Sequence, residues 1–161
     1  NSANVEATRH SGVEALFGAT LALDGKGQHT LEPKASITIN EHRYDGNNLY
    51  GDNDLPSAPG FVINGEAMYR NTNGFYIGPT FDVVDDRWSD FANTYKIDSY
   101  FTVGARAGWS NDNVRIFMEA KNLSNEKYVA NHGVSNSHSA TSSVLIVGAP
   151  TTVFGGIELT F

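Results

Sequence analysis

With 161 residues the chain is long enough for one domain. Its net charge of −7 works against nucleic acid and against attraction to anionic lipid by charge alone, and its lack of cysteine excludes a disulfide framework and a thiolate metal site. No run approaches the ~18 consecutive apolar residues of a membrane helix, but a membrane β-strand carries its apolar residues at alternate positions and escapes that test.

Period-two alternation first appears at 8–21 and stops at DGKGQ (24–28), a turn signal. A second run, 31–44, leads into the long DGNNLYGDNDLPSAPG (45–60). The third and fourth, 61–70 and 75–86, are joined by the short NTNG (71–74). Pro79 removes a ladder donor inside the fourth, which predicts a local bulge or a later strand start. DRWSDFANTYKI (86–97) then leads to 99–110, and SNDN (110–113) turns it into 114–128. ANHGVSNSHSATSSVLIVGAP (130–150) precedes the last alternation, 151–161. No stretch reads as a long amphipathic helix, and there is no internal repeat. Short and long connections alternate throughout, so an antiparallel meander places all short turns at one end and all long loops at the other. Outer-membrane barrels have this asymmetry.

The two faces differ sharply. One carries Val13, Ala15 and Phe17, then Ala35, Ile37 and Ile39, then Phe61 to Tyr69, Phe75 to Val83 and Phe101 to Trp109 at alternate positions. It continues with Val114, Ile116, Met118 and Ala120 and ends with Val153 to Phe161; none of these is charged. The opposite face holds Glu14, Lys34, Glu66, Arg70, Asp82, Arg106, Arg115, Glu119, Lys121 and Glu158. On the apolar face Phe61 and Tyr69 bracket one strand and Phe101 and Trp109 another, with small or aliphatic residues between. That suits two aromatic girdles around an apolar band. The charged face suits a wet lumen better than a packed interior. The reading that competes is a small soluble β-barrel binding a hydrophobic ligand, which requires Phe61, Val103, Ile116 and Leu159 to converge on one core. A passive porin formed by self-association is a third.

Five segments in order resemble the C-terminal portion of a TonB-dependent outer-membrane receptor. They are TRHSGVEALFGATL (8–21), DLPSAPGFVINGEAMYR (54–70), DDRWSDFANTYKIDSYFTVGARAGW (85–109), VRIFMEAKNLSNEKYV (114–129) and GGIELTF (155–161). Within them stand Arg9 with Gly12-Val13-Glu14, Leu55-Pro56 with Pro59, Asn122-Leu123 with Asn125 and Tyr128, and Phe161. The resemblance implies an all-β fold, a stretch of about seven antiparallel transmembrane strands of an incomplete barrel. Residues 1–161 would be the C-terminal part of the barrel domain, without the plug and the earlier strands.

It further implies active uptake of a scarce ligand, most often a ferric siderophore or similar iron complex, across the outer membrane of a Gram-negative bacterium. Its partners would be outer-membrane lipid, the barrel-assembly machinery reading Phe161, and the TonB complex through the absent plug. No resident cofactor is expected, and no nucleophile motif signals an enzyme. Glu66, Arg70, Arg106, Arg115, Glu119 and Lys121 are the lumen-facing candidates, pairing with a plug or with each other. The oxygen-rich loop Asp45–Asp54 lacks the glycine and late glutamate of a calcium loop, and His132 and His138 match no zinc spacing. Trp88, Phe91 and Tyr95 are expected to belong to a girdle, to loop packing or to a ligand contact.

Overall fold

A computed structural model describes residues 7–139 and 144–161; residues 140–143 of the last long loop lie outside that description. In chain order the strands are β1 (Thr8–Gly18), β2 (Leu21–Ala22), β3 (His29–Tyr44), β4 (Phe61–Asn71), β5 (Phe75–Val84), β6 (Arg87–Trp88), β7 (Lys96–Ile97), β8 (Tyr100–Ser110), β9 (Val114–Lys121), β10 (Val129–His132), β11 (Leu145–Val147) and β12 (Thr152–Leu159). The described residues contain no helix.

The wall is an antiparallel meander in the order β1-β3-β4-β5-β8-β9-β12, with β2 continuing the line of β1 along β3. The hairpins β6–β7 and β10–β11 lie inside long loops. Among the described residues the sheet is not closed, and β1 and β12 each have a strand neighbour on one side only.

The short turns follow their side chains. Asn111 Oδ1 accepts from the N–H groups of Asn113 and Val114, at 3.0 and 2.8 Å, closing β8 onto β9. Gly74 has φ 91° and lies so close to the Ser110 carbonyl that no side chain fits there.

Two strands depart from the sequence expectation. The sixth alternation does not reach residue 128: β9 stops at Lys121, because Asn122 and Asn125 take left-handed conformations, φ 50° and 51°. Pro79 causes neither a bulge nor a late start. Glu66↔Thr80 and Tyr69↔Ile77 keep one register on either side of it, and β5 begins at Phe75. The ladder with β4 skips the rungs of Gly78 and Pro79, while Pro79↔Ala105 is kept with β8. The missing N–H therefore removes a bond on one side without moving the strand.

Which face is outside is settled by exposure. Phe17, Ile77, Phe101, Met118 and Ile157 are all exposed, as are Ile116 (45%) and Leu159 (56%). The side chains of Glu119 and Glu66, on the polar face, keep only 16% and 22%. The polar face is the hollow one: Lys34, Glu66, Asp82, Arg106, Glu119 and Lys121 line a cavity of about 490 Å³. On this inner face one transverse row reads Arg70, Tyr76, Gly108, Phe117, Gly156. The Tyr76 ring lies over Gly108 and that of Phe117 over Gly156, filling space a Cβ would need. The Arg70 guanidinium stands 5.1 Å from the Tyr76 ring centroid and that of Arg115 5.4 Å from the Phe117 centroid.

Candidate functional site

The inner hollow is built by register. Arg106 faces Glu119 directly across β8 and β9, and their side chains approach to 3.6 Å. On its other side Arg106 faces Gly78, which has no side chain. Its guanidinium reaches over β5 and donates from Nη1 to Glu66 Oε2 on β4 at 3.0 Å. Lys121 Nζ completes the chain, 3.5 Å from Glu119 Oε1. Four of the six candidates thus form one run of alternating sign, Glu66–Arg106–Glu119–Lys121.

The other two stand apart. Arg70 donates from Nε to Glu32 Oε2 at 3.0 Å. Arg115 lies 3.7 Å from Glu158, nearer the short turns. Glu32 was absent from the candidates; the β3–β4 register sets it beside Arg70. Phe161 is fully exposed past the end of β12. Just before it, Thr160 N–H donates to the Asn113 carbonyl at 2.9 Å, tying the chain to a short turn.

At the long-loop end the three loops are knitted into one cap. Asp90 is fully buried and accepts from Thr94 N–H and Oγ1–H (both 2.9 Å), Tyr95 N–H (3.1 Å) and His138 N–H (3.2 Å). Burial pushes its pKa up, but these donors outweigh burial and hold the carboxyl below its ordinary range. His138 belongs to the last loop, so Asp90 joins two loops, helped by Phe91 N–H to the Ser135 carbonyl at 3.1 Å. The first loop is tied in through Asn53 Nδ2 to the Phe91 carbonyl (2.9 Å), Asp54 N–H to Asn93 Oδ1 (2.9 Å) and Trp88 Nε1 to Asp54 Oδ2 (3.2 Å).

Rings complete the cap. Phe91 packs on Tyr44 and Tyr50, and Tyr95 stacks on His138 with centroids 4.1 Å apart. Phe91 and Tyr95 thus pack against other loop residues, and Trp88 is tied to Asp54. In the first loop, Asn47 Oδ1 caps Leu49 and Tyr50 N–H, and Asp52 Oδ1 caps Gly46 N–H. No group of three or more metal-ligating side chains is found among the described residues.

Arg87, Asp90 and His132 are buried parts of this cap that alternation cannot single out, since they lie outside the wall strands. Asn122 was legible only as part of a motif, and its role is a latch. It is buried, donates from Nδ2 to the carbonyls of Glu126 and Ala149, both at 2.9 Å, and accepts from Glu126 N–H at 2.8 Å. The end of β9 is thereby pinned to the approach to β12.

Residues 1–123 match the family model described as TonB dependent receptor-like, beta-barrel. Among solved structures, the siderophore receptor PiuA from Acinetobacter baumannii superposes with a TM-score of 0.67 at 18% identity, over 94% of this chain and 22% of its own. The ferric yersiniabactin uptake receptor FyuA from Yersinia pestis gives 0.67 at 17%, over 94% and 23%. The ferric citrate transporter FecA gives 0.74 at 18%, over 96% and 24%. The chain thus spans less than a quarter of the length of each.

Proposed function

Since the chain belongs to the family of TonB-dependent receptor-like β-barrels, we propose that it is the C-terminal part of an outer-membrane receptor barrel for active uptake of a scarce ligand, in first place a ferric siderophore or similar iron complex. The observation that carries this reading is the inversion of exposure. Phe101, Met118 and Leu159 cover the outside of the curved wall while Glu66, Arg106 and Glu119 line its hollow. In water that arrangement is inside out, whereas lipid outside and a wet lumen inside satisfy both faces. Phe61, Val103, Ile116 and Leu159 share the outward face and do not converge, so the soluble-barrel alternative loses its core.

Strand direction supports the wider barrel. Seven staves in an antiparallel meander make β1 and β12 run the same way, from long loops to short turns. Neither can close antiparallel on the other, nor on a second copy standing the same way up. An odd number of further strands closes the seam. In the intact receptor the charged run of the inner wall faces the plug, TonB delivers energy through that plug, and the knitted loops stand outside the cell. The exposed Phe161 is offered to the barrel-assembly machinery. Such a protein moves its ligand and transforms nothing.

The test is uptake. Cells of the source bacterium with the segment deleted in frame are starved of iron and supplied with a panel of radiolabelled ferric siderophores. Loss of accumulation of one of them, together with its abolition in intact cells by a protonophore, is the expected result. Unchanged accumulation across the panel overturns the iron-complex reading.

A further inference from the structure

Arg87 and His132, both outside the wall strands, are buried, 7% and 8% exposed. They stand where the last long loop meets the other two. His132 Nε2 and Ser57 Oγ of the first loop are hydrogen-bonded at 3.0 Å. Arg87, on β6, donates from Nη2 to the Val129 carbonyl of β10 at 2.7 Å. These two bonds fasten the β10–β11 hairpin to the first two loops. Each residue also keeps one buried polar atom without a partner among the described residues, Arg87 Nη1 and His132 Nδ1.

A second proton on His132 is therefore disfavoured. It would add a second positive charge near the Arg87 guanidinium in a buried site where Nδ1 has no hydrogen-bond partner among the described residues, and the Trp88 backbone offsets this only in part. From its own hairpin, His132 faces Leu145, which is apolar. From the first loop it faces neutral Ser57. From β6 it faces Arg87 and the backbone of Trp88. Burial, then the Arg87 charge, hold the ring below its ordinary pKa, and the Trp88 backbone opposes them more weakly.

We propose that Arg87, His132 and Ser57 form an acid-sensitive clasp, closed while His132 is neutral, whose protonation releases the β10–β11 hairpin from the other two loops. The sign follows from linkage. In the open state His132 is solvated and titrates near 6.5; in the closed state it holds its proton less well. The contribution to the closed form is complete above that value and is lost progressively as pH falls from it toward the lower closed-state value. The external side of the cap rests on the outer-membrane reading; the clasp itself does not.

The test uses the full chain in detergent micelles. The chain has no native cysteine, so spin labels at Leu49→Cys and Ile146→Cys, both exposed positions, report the first-loop-to-hairpin distance alone. Pulsed dipolar spectroscopy is expected to give one short distance at pH 7.5, with the closed-to-open ratio falling up to about tenfold per pH unit below about 6.5. His132→Gln, which cannot take a proton, is expected to hold the short distance at both pH values. Arg87→Gln is expected to shrink the response. Identical distances in the unsubstituted clasp at pH 7.5 and 5 overturn the proposal, as does a full response in His132→Gln. The readout is a distance, so its failure is separable from any failure of uptake.

Discussion

Arg106 reaches across an entire strand to Glu66. The two residues stand on β8 and β4 with β5 between them, roughly 10 Å of sheet, yet Nη1 and Oε2 are 3.0 Å apart. The residue of β5 facing Arg106 is Gly78, which carries no side chain and packs against the backbone of Ala67 and Met68. One cation thereby serves two glutamates, and the inner wall balances its own charge locally.

Removing that cation leaves Glu119 with Lys121, and Glu66 with its cross-strand neighbour Lys34. All of these groups are partly solvated, so screening limits the loss: Arg106→Gln is expected to cost about 1–2 kcal/mol. Glu66→Gln in the same chain should recover part of it. A double-mutant cycle by urea unfolding in micelles measures the coupling, and strict additivity would show that the contact contributes nothing.

A charge placed on the outward face separates lipid from water. Ala105→Arg, in the middle of the β8 band, is expected to cost about 2–4 kcal/mol in a bilayer. Thr80→Arg, on the hollow side, should stay below about 1 kcal/mol. Folding titrations in vesicles of defined thickness compare them, and equal costs would remove lipid from the outward face.

Asp90→Asn keeps the shape of the side chain but turns an N–H₂ toward groups that are themselves donors. A cost of about 1–3 kcal/mol confined to the cap is expected, read as faster amide exchange at residues 88–97 and 132–139 with the wall unchanged. The carboxyl is depressed below its ordinary 3.8, so its contribution is complete above that value and disappears as pH falls below it. This acid step lies well below the one expected of His132, and the two should be resolved in one exchange series.

Asn122→Ala removes four side-chain hydrogen bonds and leaves a β-carbon in a left-handed conformation. We expect a loss of about 2–4 kcal/mol and a new protease-sensitive site near 122–126. Asn122→Gly relieves the backbone but not the bonds, so it should fall between. Equal stability of all three would mean that the latch does not hold β12.

The wall was legible in the sequence because its physics is local and periodic. Val103, Ala105 and Ala107 alternate with Thr102, Gly104 and Arg106, and a face uncharged over every strand needs no tertiary information to be recognised. The turns were legible for the same reason, since Asn111 caps its own neighbours and Gly74 supplies the positive φ of its own turn. Pro79 misled, because its cost depends on which neighbour its missing N–H would have met. Asn122 and Asn125 ended β9 early by a backbone conformation that alternation does not reveal. Glu32 was missed as the partner of Arg70 because register, not spacing, brings them together.

What the sequence determined by itself is the meander: strand number, the up-and-down order, the loop asymmetry and the two opposed faces, all set by period-two chemistry within single strands. Only the tertiary structure decided which face is hollow, which of the six charged candidates meet, and how Arg87, Asp90 and His132 draw three loops into one cap. Those outcomes depend on curvature and on contacts between residues far apart in the chain. Asp90 and His138, held by a single 3.2 Å bond between loops, carry no mark of each other in the sequence.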